Sequence, residues 1–255
     1  MLIEDPLLLW TLVGTLSGII LGIAGTGGGV IAIPVLMMFG GYDVKEATGY
    51  GLLALTVGAW VSWFVQRENT IYPIAATLIL FAGAVAFIAA PLKALSPHWV
   101  IIVLLNITCL FGIYSLWILR KPDDPGEKRP LSYQLTTATV GGALTGFLST
   151  MTGLGGGVLV IPWLTGITRL RLDKALACSL LTVAVTAPLS VWRQGELTLP
   201  LSAWLGLIGS VSFSSVLTKK LISYIPRHRL IIFRKLTLTT VILMTMMRTL
   251  LTLAF

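Results

Sequence analysis

Two glycine runs carry the chemistry that can be read directly from this chain. Gly25-Thr26-Gly27-Gly28-Gly29-Val30-Ile31-Ala32-Ile33-Pro34 recurs as Gly153-Leu154-Gly155-Gly156-Gly157-Val158-Leu159-Val160-Ile161-Pro162. A helix that starts at such a run leaves its first N–H groups free and presents the positive end of its dipole, and both features attract anions. Thr26 adds a hydroxyl to the first run; its counterpart Leu154 adds none, so a site built from both runs is asymmetric. Glycines also permit tight helix crossings, and Gly14, Gly18 and Gly22 form a small-residue ladder suited to that role.

Other polar residues lie near the runs. Gln66 and Gln194 occupy equivalent positions beside Trp60, Trp63 and Trp192; each reads either as an interfacial helix end or as an amide donor at a pore mouth. Arg193, next to Gln194, would draw anions inward or anchor a helix. Ser179 is a candidate contact, together with Thr48, Tyr50 and Cys178, although hydroxyls in membrane helices usually bond across helices or to their own backbone. Asn106 is expected to join two helices, and Arg248 to reach the membrane interface. Glu68 and Glu196 read as loop residues.

No Asp or Glu falls deep in an apolar segment, which removes the commonest carrier for proton coupling. His98 and His228 sit near segment starts, with no zinc spacing and no nucleophile elbow in the chain. No catalytic residue, metal site or cofactor is expected, and an enzyme is disfavoured. Cys109 and Cys178 lie in apolar sequence and read as small packing residues.

These residues must be positioned by membrane elements. The chain has 255 residues, of which 56% are hydrophobic and 11% charged, with a mean hydropathy of +0.92. Soluble domains carry roughly 25% charged residues. The net charge of +8 comes from basic residues flanking apolar runs, which is a topology signal rather than a nucleic-acid surface. The first residues lack a basic leader region, so the first apolar run reads as a retained helix.

An ungapped offset of 128 positions aligns Gly14–Thr70 with Gly142–Thr198. Matches outside the glycine runs include Gly18/Gly146, Ala47/Ala175, Leu52/Leu180, Ser62/Ser190, Gln66/Gln194 and Glu68/Glu196. The expected organisation is a first membrane repeat over 1–119, a linker over 120–132 and a second repeat over 133–255. Five segments are expected in each: Leu7–Ala24, Gly28–Phe39, Glu46–Val65, Tyr72–Leu95 and His98–Leu119, then Tyr133–Thr152, Gly156–Thr168, Lys174–Trp192, Leu199–Leu221 and Arg229–Phe255. Spanning takes about 20 helical residues. The second segment of each repeat is too short, and reads as the returning arm of a hairpin whose glycine tip stops inside the membrane. A break at corresponding positions of two halves points to the substrate site of a secondary transporter.

With the linker cytoplasmic, the basic residues concentrate on that side, and only Lys45, Lys93 and Arg193 are assigned to the other. Gly41–Glu46 is slightly acidic where its equivalent Arg169–Lys174 is basic. The fold class expected is therefore an all-α integral membrane protein of two inverted repeats, with both termini outside and the glycine tips meeting near the bilayer midplane.

The paired motifs at Gly25–Pro34 and Gly153–Pro162, with Ala47-Thr48-Gly49 and Ala175-Leu176-Ala177-Cys178-Ser179 behind them, resemble the TauE/SafE sulfite exporter family over nearly the whole chain. Family members often carry hydroxyl residues after that alanine; Gly49-Tyr50-Gly51 departs from this in the first repeat. The resemblance implies transport of a small sulfur-containing anion, such as sulfite or an organosulfonate, across a bacterial inner membrane. The substrate residues expected are Gly25, Thr26, Gly27, Gly28, Gly29, Gly153, Gly155, Gly156, Gly157, Gln66, Gln194, Arg193 and Ser179. Expected partners are the anion and the lipid bilayer, not nucleic acid, with self-association left open. Export by alternating access, driven by membrane potential, is the first expectation. Ion-coupled uptake or an anion channel on the same scaffold is the alternative.

Overall fold

The computed structural model describes residues 5–24, 28–117, 130–195, 199–222 and 227–254. Ten α-helices account for nearly all of them: α1 Pro6–Ala24, α2 Gly29–Phe39, α3 Val44–Gln66, α4 Tyr72–Leu95, α5 His98–Trp117, α6 Leu131–Thr152, α7 Gly157–Gly166, α8 Leu172–Gln194, α9 Leu201–Ile222 and α10 Arg227–Ala254. The sequence-derived segments match these closely, the largest difference being α8, which runs two residues further at each end. Five of the helices, α3, α4, α5, α8 and α9, contain stretches long and apolar enough to cross a membrane. Apolar side chains such as Leu80, Ile88, Leu110 and Phe213 stand exposed on their outer faces, where in water they would be a liability and in lipid they are solvated. The chain is an all-α integral membrane protein.

Small residues decide which helices touch. A carbon built on Gly14 would lie 2.0 Å from Ser210 Oγ, one on Gly18 2.0 Å from Ser214 Oγ, and one on Gly22 2.8 Å from Thr218 Cβ. The glycine ladder thus lets α1 lie against α9, and the rising pairs make the two helices parallel. The second repeat does the same with α6 and α4: Gly142 meets Leu78, and Gly146 meets Ala82. The first helix of each repeat therefore packs along the fourth helix of the other. The fifth helices, α5 and α10, cross with opposite directions, tied by Asn106 Nδ2 donating to Thr249 Oγ1 at 3.0 Å and Trp117 Nε1 donating to Thr239 Oγ1 at 3.0 Å.

The short arms return along the helix that precedes them. Gly28 packs on Ser17, whose hydroxyl donates to the Gly28 carbonyl at 3.2 Å. Trp10, Tyr42 and Tyr50 then form an edge-to-face chain, with centroids 5.3 and 5.1 Å apart, that brings the far end of α2 back beside the start of α1. In the second arm Gly156 packs on Thr145, and Trp163 Nε1 donates to the Thr137 carbonyl at 2.9 Å. Ser17 and Thr145 are equivalent under the 128-residue offset, as are Gly28 and Gly156.

Both arms end in the same cap. Tyr42 N–H donates to Leu36 O at 3.3 Å, and the equivalent Leu170 N–H donates to Leu164 O at 3.0 Å. In both closures the residue just before the donor turns left-handed, the conformation that most often ends a helix. Gly41 supplies it at φ 69° in the first repeat, and Arg169 at φ 56° in the second.

At one end of the bundle Lys45 donates to the Ala94 carbonyl, so Tyr42, Ala94 and Gln194 gather there. At the other, Ile71 and Leu170 pack on one cluster, which collects the 67–71 turn and the α7–α8 loop. The main core, built around Trp10, Val30, Ile33, Leu36, Leu105 and Leu207, fills the space between α1, α2, α5 and α9.

Candidate functional site

The two glycine tips meet in the interior. A carbon built on Gly29 would lie 2.4 Å from the Gly153 carbonyl oxygen and 2.7 Å from Leu55 Cδ1; one on Gly155 would lie 2.6 Å from the same Leu55 methyl. Leu55 sits midway along α3 and is fully buried. Gly153 and Gly155 adopt φ 71° and 77°, a region closed to ordinary side chains. At Gly153 the Thr48 carbonyl leaves only 2.2 Å for a side-chain carbon. Here glycine is required twice over, by backbone conformation and by close approach.

The helices that start at the tips have no side-chain cap: Gly28 and Gly156 stand at the N-cap positions of α2 and α7. Their first N–H groups are left to be satisfied by something other than their own helix. Ser179 adds a buried hydroxyl with no hydrogen-bond partner among the described residues. Its equivalent in the first repeat is Gly51, which packs against the Gly153 carbonyl at the opposite tip. Gly25, Thr26 and Gly27, the rest of the first tip, lie outside the described residues.

Gln66 and Gln194 occupy equivalent ends of α3 and α8 but different surroundings. Gln66 lines a crevice of about 10 Å³ with Gly22, Ser62 and Ser215, room for no more than about one water. Gln194 lines a vestibule of about 250 Å³ with Asp43, Lys45, Glu46 and Lys93. Arg193 turns away from it: its guanidinium lies 4.9 Å from the centre of the exposed Phe87 ring.

Lys93 is the residue that sequence reasoning passed over as a basic loop-side charge. It is 1% exposed, and Nζ donates to Gln194 Oε1 at 3.0 Å. Lysine only donates, so this bond fixes the amide with its oxygen toward Lys93. Nε2 is then left buried and without a partner among the described residues. The nearby carboxylates are committed elsewhere. Asp43 Oδ1 accepts from Glu46 N–H at 2.7 Å, Glu46 Oε2 accepts from Asp43 N–H at 3.3 Å, and Asp43 Oδ2 faces His98 Nδ1 at 3.8 Å. An ammonium buried against one neutral acceptor carries a desolvation cost on the order of several kcal/mol. The signal available in the sequence was slight: a lysine inside the last turn of an otherwise apolar span, after Pro91. Beside the vestibule, burial and then Glu46 raise the Tyr42 phenol above its ordinary value, so it stays neutral.

Ten helices, two of them short arms whose glycine tips meet at a shared buried contact, define a polytopic membrane transporter. A family model described as the sulfite exporter TauE/SafE matches residues 10–247, and the chain belongs to that family. A protein named probable membrane transporter protein from Xylella fastidiosa (strain Temecula1 / ATCC 700964) is 28% identical over 177 residues, 67% of each chain. A protein of the same name from strain 9a5c is 27% identical over the same share. No solved structure matches the chain at a significant level.

Proposed function

We propose that the chain exports a small sulfur-containing anion, sulfite or a small organosulfonate, from a bacterial cytoplasm through two inverted repeats that alternate access to a midplane site. The observation that carries this reading is the contact of the two uncapped arms, Gly29 against the Gly153 carbonyl. It supports a single central site approached by two positive helix ends. The unpartnered Ser179 hydroxyl supports a donor for an oxyanion there. The exchange of partners between repeats, α1 on α9 and α6 on α4, supports an inverted arrangement with a first repeat over 1–119, a linker over 120–132 and a second over 133–255. Among the described residues the acids Asp5, Asp43, Glu46, Glu68 and Asp173 lie at helix ends or in turns, and an anion leaving a negative interior gains about 2.3 kcal/mol per charge per 100 mV without a coupling ion.

The test is flux of sulfite, sulfoacetate and a carboxylate through the purified chain in liposomes under an imposed potential. Saturable flux of a sulfur oxyanion driven by potential alone is the expected result. Flux that requires a sodium or proton gradient would replace export with coupled uptake, and unsaturable flux far above carrier rates would replace it with a channel.

A further inference from the structure

We propose that the vestibule under the α4 C-terminus is a second anion site, in which the Lys93 ammonium and the Gln194 amide N–H2 hold a small oxyanion apart from the glycine tips. The proposal rests on the anion-transport reading above and adds to it a binding place and its residues.

Four observations converge. The cavity, about 250 Å³, is large enough for a partly hydrated oxyanion. Its buried floor holds one cation with a single neutral acceptor, Gln194 Oε1 at 3.0 Å, and no carboxylate within 4.0 Å among the described residues. Two of the three donors of that ammonium are left for a ligand. Beside it stands an amide nitrogen, buried and unpartnered, turned away from the lysine by the same bond.

The rim completes the selection. Lys45 donates to the Ala94 carbonyl, and so adds positive charge without closing the cavity. Asp43 and Glu46 cap α3 reciprocally, which keeps both carboxylates on backbone N–H groups instead of on the lysines. Carboxylates on the rim disfavour a bulky anion that would crowd them, while one compact oxyanion on the floor satisfies both orphan donors. A buried charge with a vacant place beside it is more stable when a counter-charge fills that place. The repeat-equivalent crevice at Gln66 has room for about one water, and no lysine among its lining residues. The site is therefore specific to the Tyr42 end of the molecule.

The experiment is equilibrium binding of radiolabelled sulfite to the purified chain in nanodiscs, with methanesulfonate and acetate as competitors and thermal unfolding as a second readout. Wild-type chain is expected to bind sulfite saturably and to melt higher in its presence. Lys93→Met is expected to weaken binding at this site about tenfold or more, and to reduce the sulfite-dependent rise in melting temperature to the part contributed by the midplane site. Gln194→Glu puts a carboxylate where the anion sits and keeps a partner for Lys93; it is expected to fold normally, bind no sulfite at this site and lose the same part of the thermal shift. It keeps the test decisive if Lys93→Met does not fold. Sulfite binding that is unchanged in both variants overturns the site while leaving the transport reading intact, provided wild-type flux is present. Wild-type chain that neither binds nor carries sulfite overturns both. Binding abolished on replacing phosphatidylcholine with phosphatidylglycerol discs means that a lipid headgroup fills the site, which overturns the small-anion assignment.

Discussion

Thr245 on α10 donates to the carbonyl of Val30 on α2 at 3.0 Å, an acceptor that Pro34 leaves vacant. In an uninterrupted helix the N–H of residue 34 would bond the carbonyl of residue 30; proline has no N–H, and in the apolar interior no water replaces it. The Thr245 proton is shared with its own helix through Val241 O at 2.9 Å, so one hydroxyl serves two carbonyls. The short arm α2 is thereby fastened to α10.

Replacing Thr245 with Val should therefore lower stability by roughly 0.6 kcal/mol, and up to about 1.7, the range measured for interhelical bonds in membranes. The loss should shrink in a Pro34→Ala background, where the helix again supplies its own donor. Thermal unfolding in detergent of the four chains of that cycle reads the coupling. Equal losses with and without Pro34 would mean that the Thr245–Val30 bond does not answer to the proline.

The glycine tips should tolerate no side chain. Gly28→Leu would drive into Ser17, and Gly156→Leu into Thr145; each should abolish flux in protein that still inserts. Gly209, with nothing within 4 Å of a built carbon, is the matched control, and Gly209→Ala should transport at the wild-type rate. Full flux through a folded Gly156→Leu chain would remove the tips from the transport path.

How far the sequence reached differs by feature. Apolar length and glycine breaks located all ten helices, because burial in lipid leaves hydropathy as the dominant local signal. The Gly14-Gly18-Gly22 ladder and the Asn106 cross-link were legible because small residues and lone amides in spans have few other uses. The vestibule was not. Lys93 and Gln194 are separated by 101 residues, and only tertiary packing brings them together; a lysine near a span end is ordinarily an interfacial anchor. Ser17 and Thr145 were equally silent, although the offset that aligned the glycine runs also pairs them, and a hydroxyl retained under both tips was there to be read.

Arg169 shows a topological signal overriding a conformational one. It stands where the repeat demands a left-handed residue and where Gly41 does that work in the other half. Left-handed backbone costs a side-chain-bearing residue about 1–2 kcal/mol, and glycine's larger loss of chain freedom offsets about 0.5–1 of this. Arg169→Gly should then raise stability by roughly 0.5–1 kcal/mol, and Gly41→Arg should lower it similarly. Melting curves of the two variants check this; a destabilised Arg169→Gly would mean that the guanidinium makes a compensating interaction.

The charge difference between equivalent loops also predicts an orientation that can be tested directly. Arg169, Arg171 and Lys174 stand at the end that carries Asn69, whereas Asp43, Glu46 and His98 stand at the end that carries Pro97. Basic loops stay cytoplasmic, so Pro97→Cys should react in whole cells with a thiol reagent that cannot cross membranes, and Asn69→Cys only after lysis. Both positions are exposed, while the native Cys109 and Cys178 are buried and should stay silent in the same assay. Labelling of Asn69→Cys in intact cells, with Pro97→Cys protected, would invert the molecule; the Lys93 vestibule would then open to the cytoplasm and act at the entry of an exported anion instead of at its exit.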